Sequence, residues 1–225
     1  MKKLLYSLCA LAIVASCVNI NVGSGKTILC KGPVVERSMD FSDFSAIVVN
    51  GSSDLSITQA DAFSVVVTAN EEVFEYLDYK VEDGVLIIRA KNNVNIRAEK
   101  YEVAVSLPLV ESITVNGAAD VDQKGAYTAD KDLSVQVNGA GDLNFNSVTV
   151  PCLHFTANGA SDIKAHGLDV QSLIVSVNGA GDAVLSGKAA SASFSVNGAG
   201  DIDARNLECE NVSTHKAGVA SIRLK

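Results

Sequence analysis

Apolar and polar residues alternate along the second half of the chain in short runs that restart about every twenty positions. Leu133, Val135 and Val137 flank Ser134 and Gln136. Leu153, Phe155 and Ala157 flank His154 and Thr156, and the same pattern returns in Leu173, Val175, Val177 and in Ala192, Phe194, Val196. Strict period-two patterning of this kind predicts strands with one buried face. Each run ends on one motif: VNGAGD at 137–142, 177–182 and 196–201, with looser copies at 49–54, 115–120 and 157–162. After the motif the alternation resumes in Leu143 and Phe145, Ile163 and Ala165, Ala183 and Leu185, Ile202 and Ala204, and a third, weaker strand follows.

The motif asparagines are Asn50, Asn116, Asn138, Asn158, Asn178 and Asn197, and the last five are 22, 20, 20 and 19 residues apart. A fixed period near twenty predicts a repeat architecture. Equivalent strands of successive copies fall side by side only if each copy stacks on the last, in parallel and about 4.8 Å away. The expected fold is therefore all-β, a parallel β-solenoid, right-handed by analogy with most crossovers. Val115, Val137, Ala157, Val177 and Val196 would form one inward ladder. The rival is an antiparallel β-sandwich or barrel. The gap of 66 residues from Asn50 to Asn116 leaves room for two coils without the motif. Residues 38–112 read as irregular coils or an antiparallel cap, with Asp83-Gly84 as a hairpin signal, and 113–225 as the regular repeats. The last, worn copy has lost its Asn and Asp, and Arg223 and Lys225 read as charges that keep its edge from recruiting another chain.

The N-terminus is a different kind of sequence. Lys2-Lys3 precede an apolar run from Leu4 to Val14 that is too short for a spanning helix, and Val14-Ala15-Ser16-Cys17 looks like a bacterial lipobox. Residues 1–16 are read as a lipoprotein signal peptide, Cys17 as the lipid-bearing residue, and 17–37 as a tether. An ordinary signal peptide with an incidental Cys17 is the alternative. Loss of residues 1–16 removes two lysines, leaving 16 basic and 26 acidic residues and a net charge of −10. That balance argues against nucleic acid as a partner and against charge-driven adhesion to anionic lipid. Cys30, Cys152 and Cys209 remain, in no metal or disulfide spacing; Cys152 and Cys209 read as buried thiols, with a bridge between some pair left open.

The turn VNGSSD, the stretch KVEDGVLIIRA and the sequence VSLPLVESITVNGAAD, followed by NGAGD copies, resemble the head GIN domain family of auto-transporter adhesins over roughly residues 38–225. The resemblance implies a β-helical fold and an extracytoplasmic setting in the cell envelope, and little about activity. It brings no catalytic residues.

Two kinds of chemistry are open to the motif. Stacking puts Asp120, Asp142, Asp162, Asp182 and Asp201 in one column, where neighbouring carboxylates about 4.8 Å apart repel by about 1 kcal/mol per pair in water. Calcium or a glycan could offset this, and so could backbone amides of the turn itself, with Gly117, Gly139, Gly159, Gly179 and Gly198 supplying positive φ and the asparagines an amide ladder. The amide reading is favoured. No cofactor is expected. His154, His166 and His215 share no equivalent position, and no nucleophile elbow, HExxH or phosphate loop is present, which argues against an enzyme. The expected function is a lipid-anchored binding or structural module with a glycan or protein ligand. A carbohydrate-active β-helix enzyme and a calcium-stiffened spacer are the alternatives.

Overall fold

A computed structural model describes residues 26–225. The expected signal peptide, Cys17 and the first part of the expected tether lie outside the described residues. The chain folds as an all-β parallel solenoid of about six turns, and three sides recur in each coil. On the first side, Ala46–Gly51 pairs with Ser112–Ala118, then Leu133–Ala140, then residues 153–160, 173–180 and 192–199, all parallel and without a register shift. The second side stacks Asp54–Gln59, Val121–Lys124, Leu143–Asn146 and residues 163–166. A short third side stacks Tyr127–Thr128, 148–150 and 168–170. The later coils turn their corners without breaking the strand, so that Ile163–Ala180 and Ala183–Glu208 run 18 and 26 residues.

The core is a set of ladders. Val115, Val137, Ala157, Val177 and Val196 are all buried, as the alternation predicts. Packing at organic-crystal density in a fixed cross-section requires each coil to fill the same volume, and large residues are balanced by small ones. The coil with Phe155 on its first side has Ala165 on its second, and the coil with Phe194 has Ala204. Conversely, the coil with Val135 has Phe145, which meets Phe155 edge-on at 5.1 Å between ring centroids.

Three features of the N-terminal part bear on the expectation, and the second of them meets it. First, no coil separates Asn50 from Asn116, because Ala46–Gly51 and Ser112–Ala118 are direct neighbours. The intervening chain instead drops below: Val85–Arg89 pairs under Ala46–Gly51, and Tyr101–Leu107 under Asp54–Gln59. Stacking order is thus not chain order. Second, the antiparallel cap is built by Ser64–Asn70 on Tyr101–Leu107, Val34–Met39 on Ser64–Asn70, and Lys80–Glu82 on Val85–Arg89. The Lys80–Glu82 hairpin turns at Asp83 and Gly84, both at positive φ, as the Asp-Gly signal requires. Third, residues 26–37 are not tether. Lys26–Cys30 pairs parallel with Val94–Ala98, and Val34–Met39 lies in the cap, so ladder bonds hold a segment whose polarity reads as linker. A 3-10 helix, Glu71–Tyr76, sits beside them with Val73 fully buried. Asn70, also buried, ties this end together: its Oδ1 accepts from the amides of Glu99 and Lys100, and its Nδ2 donates to the carbonyl of Gly32.

Candidate functional site

The corner made by the repeated motif is satisfied almost entirely by itself. Each asparagine amide donates to the side-chain oxygen of the asparagine one coil below: Asn116 to Asn50 (2.9 Å), Asn138 to Asn116 (2.8 Å), Asn158 to Asn138 (2.8 Å), Asn178 to Asn158 (2.9 Å) and Asn197 to Asn178 (2.8 Å). The predicted amide ladder is present across all six copies. The glycine that follows is required twice over. At Gly159 φ is +132°, and a Cβ there would lie 2.1 Å from the carbonyl oxygen of Gly139 below. Only a residue without a side chain lets the coils meet this closely. The fifth motif position varies between Ser53, Ala119, Gly141, Ser161, Gly181 and Gly200. Ser161 is buried, and its hydroxyl has no hydrogen-bond partner.

The aspartates are satisfied between coils rather than within their own turns. The Oδ1 of Asp120 accepts from the backbone amide of Asp142 (2.8 Å), Asp162 from Asp182 (2.8 Å), Asp182 from Asp201 (2.8 Å), and Asp201 from Ser221 (3.0 Å). A carboxylate that accepts from the next coil's amide is a charge-assisted staple across the coil boundary. Two of the carboxylates also meet cations: Lys164 stands 3.4 Å from Asp142, and Arg223 stands 2.7 Å from Asp201. Arg223 thus pairs with the aspartate of the coil beneath it. At the foot of the column Asp54 has its pKa raised, chiefly by burial. The Asp120 amide pulls the other way, and the charges of Asp120 and Glu102 add to the rise. Among the described residues, no group of three or more His, Cys, Asp or Glu is placed to share an ion.

Other candidate groups are scattered. Cys30 is buried in the core of the capped end, where burial and the nearby Glu72 charge raise its pKa, while the Cys209 thiol contacts the carbonyl of Asn211 near the last coil. His154 and His166 lie on different sides and bond Thr156 and Ser186 respectively, and His215 is on the final strand. These histidines do not converge. The half-buried Tyr79 and Tyr101 hydroxyls meet at 2.8 Å, and burial raises the pKa of both.

What the coils do bring together is the outward face of the first side. One row reads Ser112, Ser134, His154, Ile174 and Ser193, the next Thr114, Gln136, Thr156, Ser176 and Ser195, and the third is the asparagine ladder. From Ala46–Gly51 below to residues 192–199 above, no outward position on this side is Asp, Glu, Lys or Arg. His154 is held toward its neutral form, because burial lowers its pKa. The second and third sides differ. Lys124 pairs with Asp122, Arg205 with Asp203, and Lys188 with Glu208. In a chain of net charge −8, one flat, charge-free array of hydroxyls and amides, repeating at about 4.8 Å, is the most distinctive surface of the molecule. Its signal was present in the sequence: the polar members of every first-side alternation are uncharged.

A family model described as "Putative auto-transporter adhesin, head GIN domain" matches residues 43–225. No curated protein matches the chain. Among solved structures, a "putative adhesin" from Parabacteroides distasonis is 22% identical with a TM-score of 0.80, covering 88% of this chain and 85% of that one. A "putative lipid binding protein" from the same species is 20% identical with a TM-score of 0.76, over 88% of this chain and all of that one. A "putative adhesin" from Bacteroides fragilis is 20% identical with a TM-score of 0.73 over the same shares. At these identities the likeness is one of fold.

Proposed function

We propose, from the premise that the chain belongs to the head GIN domain family, that it is a non-catalytic binding module of the cell envelope, anchored through a lipid on Cys17, whose contact surface is the uncharged first side. The ligand class this surface suits best is a neutral, hydroxyl-rich polymer such as a polysaccharide. The observation that carries the reading is the registered array of Ser, Thr, Gln and Asn on one flat side, free of Asp, Glu, Lys and Arg. Such an array offers donors and acceptors together and does not repel a neutral chain. Each contact is weak, so affinity comes from many coils engaging one polymer. The repetition of one design also favours binding over catalysis, which needs one distinct set of groups at one place.

The test is a binding panel of neutral and acidic polysaccharides and envelope-free protein extracts, with the chain from residue 18 onward and with a Thr156→Glu, Ser176→Glu variant. Expected is retention by neutral polysaccharide without release of shortened product, and loss of retention in the variant at a temperature where its unfolding curve shows it folded. Retention that survives both substitutions sinks the reading, as does turnover of the polymer.

A further inference from the structure

The two ends of the solenoid are treated differently. At the N-terminal end the antiparallel strands Ser64–Asn70 and Lys80–Glu82 cover the lowest coil. At the other end the last strand, Asn211–Arg223, has 13 residues and, among the described residues, pairs only with the coil beneath it. Its outer row of amides and carbonyls has no strand to meet, which is the condition that recruits another chain. The apolar core is open here too. Leu224 is 43% exposed, and a cleft of about 280 Å³ opens between Phe194, Leu207, Val212 and Leu224; on the outer face Val219 is 86% exposed.

We propose that this last coil pairs with the last coil of a second copy, antiparallel, about a two-fold axis through Gly218. Three observations select that occupant. The edges of the lowest coil are covered by Ser64–Asn70 and Lys80–Glu82, so they are closed to the last coil of another copy, and contact between two last coils closes at two copies. The strand bends at Gly218 (φ +105°), with comparable arms on either side, so a half-turn about the bend lays each arm on the other in reverse direction. That register is also self-complementary. Val212, Thr214 and Lys216 continue the inward ladder of Ala192, Phe194 and Val196, and Ile222 continues that of Ile202. Reversal about Gly218 sets Val212 against Leu224 of the second copy, Thr214 against Ile222, and Lys216 against Ala220, whose small side chain leaves the lysine stem room to reach water. On the outer face Ser213 meets Arg223 and Ala217 meets Val219. No like charges face each other, and Arg223 is already neutralised by Asp201 at 2.7 Å. Because Lys26–Cys30 belongs to the capped end, the two N-termini of such a pair leave from opposite poles.

Sedimentation velocity across the micromolar range, on the chain from residue 18 onward, tests this. That sample contains every residue of the described core. The expected result is a monomer–dimer equilibrium whose dissociation constant rises about tenfold or more in Val219→Lys. Val219 is exposed, so the melting temperature of the dilute variant should match the parent. The register makes a second demand: Ser213→Lys, opposite Arg223, weakens the dimer, whereas Ser213→Glu does not. A parent chain that stays monomeric overturns the proposal. So does a dimer indifferent to Val219→Lys, or one that Ser213→Glu and Ser213→Lys weaken equally.

Discussion

Gly159 and Gly51 occupy the same motif position, and replacing each by alanine separates two demands on it. Both have positive φ, +132° and +142°. A Cβ on Gly159 would lie 2.1 Å from the Gly139 carbonyl oxygen, whereas a Cβ on Gly51 would meet nothing within 4 Å. The conformational demand is shared, at about 1–3 kcal/mol for a side-chain-bearing residue in such a region. The collision falls on Gly159 alone. The carbonyl it strikes is fixed by the ladder below, so the coils must separate locally, which costs about another 1–3 kcal/mol by the measure of overpacked interiors. Gly159→Ala should therefore lose roughly 2–6 kcal/mol and Gly51→Ala roughly 1–3 kcal/mol. For a chain of this size each kcal/mol moves the melting temperature by about 2–4 °C. Paired urea and thermal unfolding curves read the difference. Equal losses at the two sites would refute the claim that close approach of the coils, beyond φ, makes this residue glycine.

The remaining predictions concern the same corner. Asn158→Ala removes a bond to Asn138 and one from Asn178, leaving the half-buried Asn178 amide without its acceptor and the Asn138 oxygen with Gln136 as its remaining donor, at about 1–3 kcal/mol. Asn197→Ala breaks one such bond and should cost less in the same unfolding assay. Ser161→Ala keeps the Cβ and removes a buried hydroxyl without a partner, so it should raise stability by up to about 1 kcal/mol. The raised pKa of Asp54 means that the folded chain holds that proton more tightly than the unfolded chain. Its stabilising contribution is therefore present below the ordinary value of 3.8 and is lost as pH rises through the raised one. Asp54→Asn should accordingly raise the melting temperature at pH 7, with the gap closing near pH 3.

The regular half of this fold is legible because its order is local. Alternation assigns Val135, Phe155 and Val175 inward, and a twenty-residue period leaves stacking as the way to align them. The asparagine ladder follows from that register. The N-terminal half is not legible in the same way. That Val85–Arg89 slides beneath Ala46–Gly51 while Ser112–Ala118 lies above it is decided by which edges remain to be covered, a tertiary choice with no periodic trace. Residues 26–37 mislead because short polar strands at a cap carry little hydrophobic signal. The aspartates were placed in the right column with the wrong partner. A side chain at a turn can bond its own backbone or its neighbour's, and only the distance between coils decides. The charge-free first side was written in the alternation itself, but it becomes a surface only when six coils place those positions in rows.

The central claim is that six copies of the motif exist because the coils need one self-satisfied corner, and the most direct measurement is thermal unfolding with excess calcium and with chelator. It should be run on the parent chain and on an Asp162→Asn, Asp182→Asn variant, which keeps an oxygen to accept the amides of Asp182 and Asp201. The account predicts that calcium and chelator curves coincide for the parent, and that the variant melts no lower than the parent. A parent melting temperature that falls by several degrees in chelator, with the fall absent in the variant, would contradict it and make the column an ion site.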